Sequence, residues 1–331
     1  MRCREEAVSF FDLTYFWEEV MSKFTKFFAI GAIVLAGAVS TAAAADKMRF
    51  IVVSHGPAND PYHSVVKNGL MQAASDLGVD VEYRANETFD VVKMGQLIDA
   101  AVNQQPDGLI VTIPDVSALG ASIHRAVASG IPVVSYNSGL KIYKDVGTLV
   151  HVGQDEYMTG TMAGEAFKNM GAKNVVCLNH EVGNATQDDR CRGLSDAYEG
   201  KVKVIPGKPD PSANASIVKA AVQSDSTIDG VFCTSTVLCA EPATKALREV
   251  GSQALVGSTS LSSAFLDSVG NGEAAFAMDQ QQFLQGYLPV SILYNYIRFD
   301  LLPPAAIITG PQVITKDKVG RLAELASKGI R

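Results

Sequence analysis

The sequence predicts an α/β protein of two similar lobes, each a doubly wound parallel sheet. Three observations carry this. Short runs that are apolar throughout alternate with segments of helical period, the alternation fills the chain from residue 49 onward, and its two halves share a register. A strand apolar on both sides needs cover on both faces, which a parallel sheet flanked by helices supplies.

"RFIVVS" (49–54) is the first strand, and the helix after it places Val66, Leu70, Ala73 and Leu77 at i, i+4, i+7 and i+11, one buried face. Asp60-Pro61 reads as its start, an N-cap with proline at the first helical position. "VDVEYRA" follows as a strand, then a helix from about Asp90 to Gln104, the strand "GLIVTI", a helix through Ala128, and the strand "PVVSYN". The second half repeats the plan with "NVVCLNH", "VKVIPG", "GVFCTS", "ALVGST" and "AAFAMD". "DGLIVT" begins at Asp107 and "DGVFCT" at Asp229, and the same number of residues further on lie Asn137 and Thr259. That matched spacing favours two lobes over one long sheet. Two such lobes face to face put their C-terminal strand ends around one crevice, where open α/β sheets bind ligands. The tail "TKDKVGRLAELASKGIR" reads as a short polar-faced helix on the second lobe.

At 331 residues, 47% hydrophobic and 19% charged, the chain has ample material for a core. Its net charge is −7, and no cluster of Lys and Arg is present to displace counterions from a phosphate backbone, so nucleic acid is excluded as a partner. From Met21, "MSKFTKFFAIGAIVLAGAVSTAAAADK" has Lys23 and Lys26, an apolar core and then small residues, the order of a secretory signal with cleavage near Ala45. The apolar core is shorter than the roughly 20 residues that span a bilayer, so no stable membrane insertion is expected after cleavage. Residues 1–20 put Glu5, Glu6, Asp12, Glu18 and Glu19 where a signal wants positive charge, and read as a mis-assigned upstream start. Export is therefore expected.

Four cysteines remain beyond the leader: Cys177, Cys191, Cys233 and Cys239. An even count in an oxidising compartment permits disulfides; sequence neighbours favour Cys177 with Cys191 and Cys233 with Cys239, against the alternative of four buried thiols.

"SHGPANDPYH" (54–63) packs two histidines and an aspartate beside the first strand end. His55 and His63 lack a third ligand in any zinc spacing, so no metal is expected. Tyr62 and His63 fall in the first helical turn, where flat rings can cover an apolar sugar face. No G-x-S-x-G elbow, P-loop or G-x-G-x-x-G follows the first strand, so neither catalysis nor a cofactor is expected. His124 and His151 read as core or surface residues; His180, closing "NVVCLNH", can reach the crevice but reads first as structural.

Together, "FIVVSHGPANDPYHSVVKNGLMQAA", "PDGLIVTIPD", "GIPVVSYNSG", "HVGQDEYMTGTMAGE", "NHEVGNATQDDRCRGL" and "DQQQFLQGY" resemble the periplasmic sugar-binding proteins of ABC importers, in the ribose-binding-like, type I group, in collinear order. The resemblance implies a three-strand hinge, with 46–152 and 281–309 as the N-terminal lobe and 153–280 and 310–331 as the C-terminal lobe. It implies crossings near Val152–Asp155, Gln280 and Thr309, and closure that traps a ligand. By position, the family's stacking pair falls on Tyr62 and His63, where His63 departs from the usual large aromatic. Its fourth-strand Asp falls on Asn137, the following Arg on Ser138, its second-lobe Asp on Thr259 and a neighbouring Asn on Ser235; Arg190 and Gln280 match. Asp60, Asp115 or Asp279 are the candidates to replace the missing carboxylates. The implied ligand is a small neutral polyhydroxyl compound, a monosaccharide or polyol, held by Arg190, Asn137, Gln154 and Gln280. Delivery to an ABC permease, by a protein monomeric by family default, is the expected function. The alternatives are presentation of bound solute to a chemoreceptor or sensor kinase, and an exported α/β enzyme.

Overall fold

The computed structural model describes residues 47–56 and 60–331, so the leader and its cleavage site lie outside the described residues. Two six-stranded sheets are present. The first has β1 (Arg49–Ser54), β2 (Asp80–Ala85), β3 (Gly108–Val111), β4 (Val133–Tyr136), β5 (His151–Gln154) and β11 (Ile307–Gly310), ordered β11-β5-β4-β3-β1-β2. The second has β6 (Asn174–Asn179), β7 (Lys201–Pro206), β8 (Gly230–Cys233), β9 (Leu255–Thr259), β10 (Phe276–Asp279) and β12 (Gln312–Ile314), ordered β12-β10-β9-β8-β6-β7. The two orders match strand for strand, except that β11 joins its sheet parallel and β12 antiparallel. We refer to the sheets with their helices as the first and second lobes.

Alternation along each strand explains the continuous apolar runs. Phe50, Val52, Ile110 and Val134 enter one cluster while Ile51, Val53, Leu109, Val111 and Val133 enter another on the opposite face. In the second sheet Val176, Leu178, Val231 and Cys233 divide in the same way from Val175, Cys177, Phe232 and Phe276. Both faces are therefore cores, as the period of two requires.

The helices begin where sequence chemistry starts them. Asp60 caps α1 (Pro61–Leu77) by accepting from the His63 N–H at 3.1 Å, with Pro61 in the first turn. Asp90 caps α2 (Val91–Val102), Asp115 caps α3 (Val116–Ala128), Asp155 caps α4 (Glu156–Asn169) and Asn184 caps α5 (Ala185–Ala197). In the second lobe α6 (Pro211–Ser224), α7 (Glu241–Glu249) and α8 (Ser263–Asn271) follow, and α10 (Gly320–Ser327) sets Leu322 and Ala323 against its core. The chain passes between sheets after β5, returns after β10 through α9 (Gln282–Phe299), which packs Val290 and Leu293 on the first sheet, and passes again between β11 and β12. Among the described residues no helix is long and apolar enough to cross a membrane.

Each lobe also holds one closely packed helix pair. A Cβ on Gly69 or Gly286 would overlap the backbone of the facing helix in the α1–α9 pair, and one on Gly160 or Gly193 would do so in the α4–α5 pair. Two disulfides, Cys177–Cys191 and Cys233–Cys239, lie in the second lobe.

Candidate functional site

Between the lobes, at the C-terminal strand ends of both, lies a cavity of about 410 Å³. Its two walls repeat one device. In the first lobe the His55 N–H and Nδ1 both meet Thr112 Oγ1, at 3.0 and 2.9 Å; in the second, the His180 N–H and Nδ1 meet Thr234 Oγ1, at 3.2 and 2.8 Å. Each histidine follows the first strand of its lobe and each threonine the central strand, so the internal repeat puts one imidazole on each side of the cavity. Burial pushes His63 and His180 down to about 3, and His55 well below its ordinary value. All three rings are neutral near pH 7, each with one donor and one acceptor nitrogen.

The first wall is completed by Asp60, Tyr62, His63, Phe89 and Asn137. His55 stands edge-on to His63 and Phe89, with centroids 5.2 and 6.0 Å away. Tyr62 donates its O–H to Gln285 Oε1 at 2.5 Å and accepts from Asn137 Nδ2 at 2.7 Å, which orients both side chains. Burial raises Asp60.

The second wall is built around Arg190. Its Nε and Nη2 grip the two oxygens of Glu156 at 2.5 and 3.0 Å, and Nη1 donates to Gln187 Oε1, the Thr234 carbonyl and Thr259 Oγ1. The fork is charge-compensated and oriented, which leaves one Nη2 hydrogen for other partners. Glu181 stands across from His55, with carboxylate and Nε2 3.9 Å apart, and burial raises it to about 7. The lobes touch beside the cavity through the Ala185 N–H on the Pro114 carbonyl at 3.2 Å and Lys141 on Asp189 at 2.7 Å.

Of the residues singled out from sequence, Asp60, Tyr62, His63, Asn137, Arg190, Ser235 and Gln280 line the cavity together. Asp115, Gln154, Thr259 and Asp279 do not. Asp115 is occupied as the cap of α3, bonding Ser117 and Ala118. Gln154 donates to Glu156, and Thr259 to the Thr234 carbonyl, so both stand behind Arg190. Asp279 accepts from the Gln281 N–H and from Arg331 Nη1 at 2.6 Å. The residue of the second lobe that matches Asn137 is Ser260. Strand pairing sets Ser135 beside Val111 at the end of β3 and Ser258 beside Cys233 at the end of β8, so Asn137 and Ser260 each lie two residues beyond equivalent positions, and both take positive φ, 58° and 66°. A step of one residue along a strand turns the side chain to the other face, which is why Ser260 and not Thr259 reaches the cavity.

Sequence reasoning did not assign Glu156, Glu181, Gln187, Phe89 or a lining role for His55 and His180. For the two histidines a signal existed: each ends a first strand, and a threonine ends both "DGLIVT" and "DGVFCT". Among the described residues no group of His, Cys, Asp and Glu is arranged to hold a metal ion.

Residues 50–300 match the sequence profile of the periplasmic binding protein domain. A carbohydrate transporter from Acidothermus cellulolyticus, solved in complex with myo-inositol, is similar at 30% identity and TM-score 0.83, over 86% of this chain and 100% of that one. A periplasmic sugar-binding protein of an ABC sugar transporter from Legionella pneumophila is similar at 26% identity and TM-score 0.76, over 80% of this chain and 100% of that one. The xylose/arabinose-binding protein of Sulfolobus acidocaldarius is 24% identical over 290 residues, 82% of this chain and 72% of that protein. With two matched lobes, a chain that passes between them three times and a cavity at their strand ends, this chain belongs to the periplasmic binding protein family.

Proposed function

We propose that this chain is an exported solute-binding protein that captures a small neutral sugar or polyol between its lobes and delivers it to an ABC permease. The observation that carries the reading is the convergence of three neutral imidazoles with Gln187, Gln280 and Ser235 on a cavity of about 410 Å³. Every one of these groups can both donate and accept, which is what a ring of hydroxyls asks of its partners. The volume falls in the range of small-molecule sites. The myo-inositol held by the similar Acidothermus protein is a neutral ring of this class.

In this reading the lobes are 46–152 with 281–309 and 153–280 with 310–331. Asp60, Tyr62, His63, Asn137, Ser235, Gln280 and the remaining Arg190 hydrogen contact the ligand. Gln154 and Thr259 act behind Arg190, and the interlobe contacts at Pro114–Ala185 and Lys141–Asp189 form on closure.

The test is a thermal-shift screen of protein stripped of ligand by unfolding and refolding, against pentoses, hexoses, inositols and linear polyols, with amino acids as controls. Ligand at about 100 times its dissociation constant stabilises by about 2.7 kcal/mol. A shift with one polyhydroxyl class supports the reading; a shift with amino acids alone, or with nothing, overturns it.

A further inference from the structure

The second wall of the cavity differs from the first in one covalent respect. Every residue between Cys233 and Cys239, from Thr234 to Leu238, lines the cavity. His180, Glu181, Gln187 and Arg190 lie between Cys177 and Cys191. No cysteine occurs between residues 47 and 176, so the first wall has no such bond.

All four sulfurs belong to buried residues, and the two bonds anchor in the two separate cores that cover the faces of the second sheet. The segment between Cys233 and Cys239 has little regular structure to hold it, whereas that between Cys177 and Cys191 takes in the end of β6, a connecting loop and the start of α5. Residues Thr236–Ala240 form a single π-helical turn, a rare geometry that recurs at functional sites. Asn214 reaches this loop by donating to the Leu238 carbonyl at 2.7 Å, and Thr236 Oγ1 by bonding the Thr259 carbonyl at 2.6 Å. A cross-link spanning six positions removes less unfolded-chain entropy than one across a long loop, so its main effect falls on the segment it encloses.

We propose that the Cys233–Cys239 disulfide is a positioning element of the ligand site, holding residues 234–238 in their binding shape before ligand arrives, with Cys177–Cys191 doing the same for residues 180–190. Affinity for the solute then depends on the bonds being formed. This rests on the function proposed above, since it concerns the same cavity. Pre-shaping a wall raises affinity by removing the cost of ordering it on binding.

The experiment compares oxidised wild type with C233A/C239A and with C177A/C191A, by calorimetry with myo-inositol, D-xylose and D-arabinose, at a temperature well below each variant's melting point. Amide exchange of the ligand-free proteins is followed in parallel. The expected result for C233A/C239A is a native far-ultraviolet spectrum, binding weakened about tenfold and faster exchange confined to 234–238. A lower melting temperature with unchanged affinity and unchanged exchange at 234–238 would overturn the proposal, because the bond would then be a general support. If a variant does not fold, wild type is reduced with dithiothreitol, which leaves as its cyclic disulfide as each bond becomes two thiols, and the thiols are counted by alkylation. Native spectrum with weakened binding supports the proposal, and loss of the native spectrum overturns it. Absence of binding by oxidised wild type would count against the proposed function, and the exchange measurement would still decide this inference.

Discussion

The two walls of the cavity begin from the same plan and end with different bracing. Each presents a histidine clamped at its own N–H and Nδ1 by a threonine, His55 on Thr112 and His180 on Thr234. Each also borders the cavity with a positive-φ residue after its fourth strand in sequence, Asn137 or Ser260. Beyond that they diverge. The first wall is held by neutral hydrogen bonds, Tyr62 to Gln285 and Asn137 to Tyr62. The second carries the buried Arg190–Glu156 pair and both disulfides. The shared architecture puts one cavity at the strand ends of both lobes, and differences in side chains brace its two walls differently.

The largest expected effect is at Glu156. Glu156→Ala leaves a buried guanidinium without its partner and should cost about 3–5 kcal/mol in urea unfolding. A loss too small to measure would mean that Gln187 and the Thr234 carbonyl suffice to hold Arg190, and the second wall would lose its ionic distinction.

Next are the paired helices. Gly160→Ala places a methyl against the Arg190 carbonyl, and Gly286→Ala does so against that of Val66. Each should destabilise by about 1–3 kcal/mol, since neither backbone can retreat cheaply. Equal losses by calorimetric melting would support equivalence of the two helix pairs, and a large difference would break it.

The histidine clamps offer a finer comparison. Thr112→Val and Thr234→Val each remove the oxygen that a buried histidine N–H donates to, at about 1–2 kcal/mol. Thr234 Oγ1 also bonds the Leu178 carbonyl at 3.0 Å, so its replacement should be the more costly in stability and in ligand affinity. The reverse order would show that the first wall depends more on its clamp.

The fold was legible because most of its determinants are local. Apolar runs, helical spacing and Asp60-Pro61 all act within a few residues of themselves, and the offset of "DGLIVT" from "DGVFCT" can be read along the chain without knowing any contact. The site was legible in part: Asp60, Tyr62, Asn137 and Arg190 line the cavity although each also bonds a neighbouring group. Asp115, Asp279, Gln154 and Thr259 sit at strand ends or helix starts near the cleft, as ligand residues do, but each is claimed by another group. For Asp279 that group is Arg331, far along the chain, which no local pattern reveals. Glu156 was hidden for the converse reason: it follows the cap Asp155 at a helix start, and only the tertiary position of Arg190 draws it inward.

The smallest effect is electrostatic. Burial raises Glu181 to about 7, so between its ordinary range and that value the folded protein binds more protons than the unfolded chain. Its contribution to stability is present at low pH and is lost as pH rises through about 7. The buried histidines act in the opposite sense: their lowered values cost stability as pH falls below the ordinary histidine range. Glu181→Gln should remove only the first component. The difference in unfolding free energy between wild type and this variant should therefore change between pH 5 and 8, in the direction of wild type losing ground. No change in that difference would mean Glu181 is ionised throughout, with the second wall more polar than the first.

The central claim is that both walls close on one neutral polyhydroxyl molecule. Calorimetric titration of the refolded protein with myo-inositol, D-xylose and D-arabinose, repeated on Arg190→Ala and Tyr62→Ala, tests it most directly. The account predicts one site per chain, and loss of affinity in both variants, about 2–4 kcal/mol for Arg190→Ala because desolvated partners are left unpaired. Binding that survives both substitutions, or that appears only with amino acids, would contradict it.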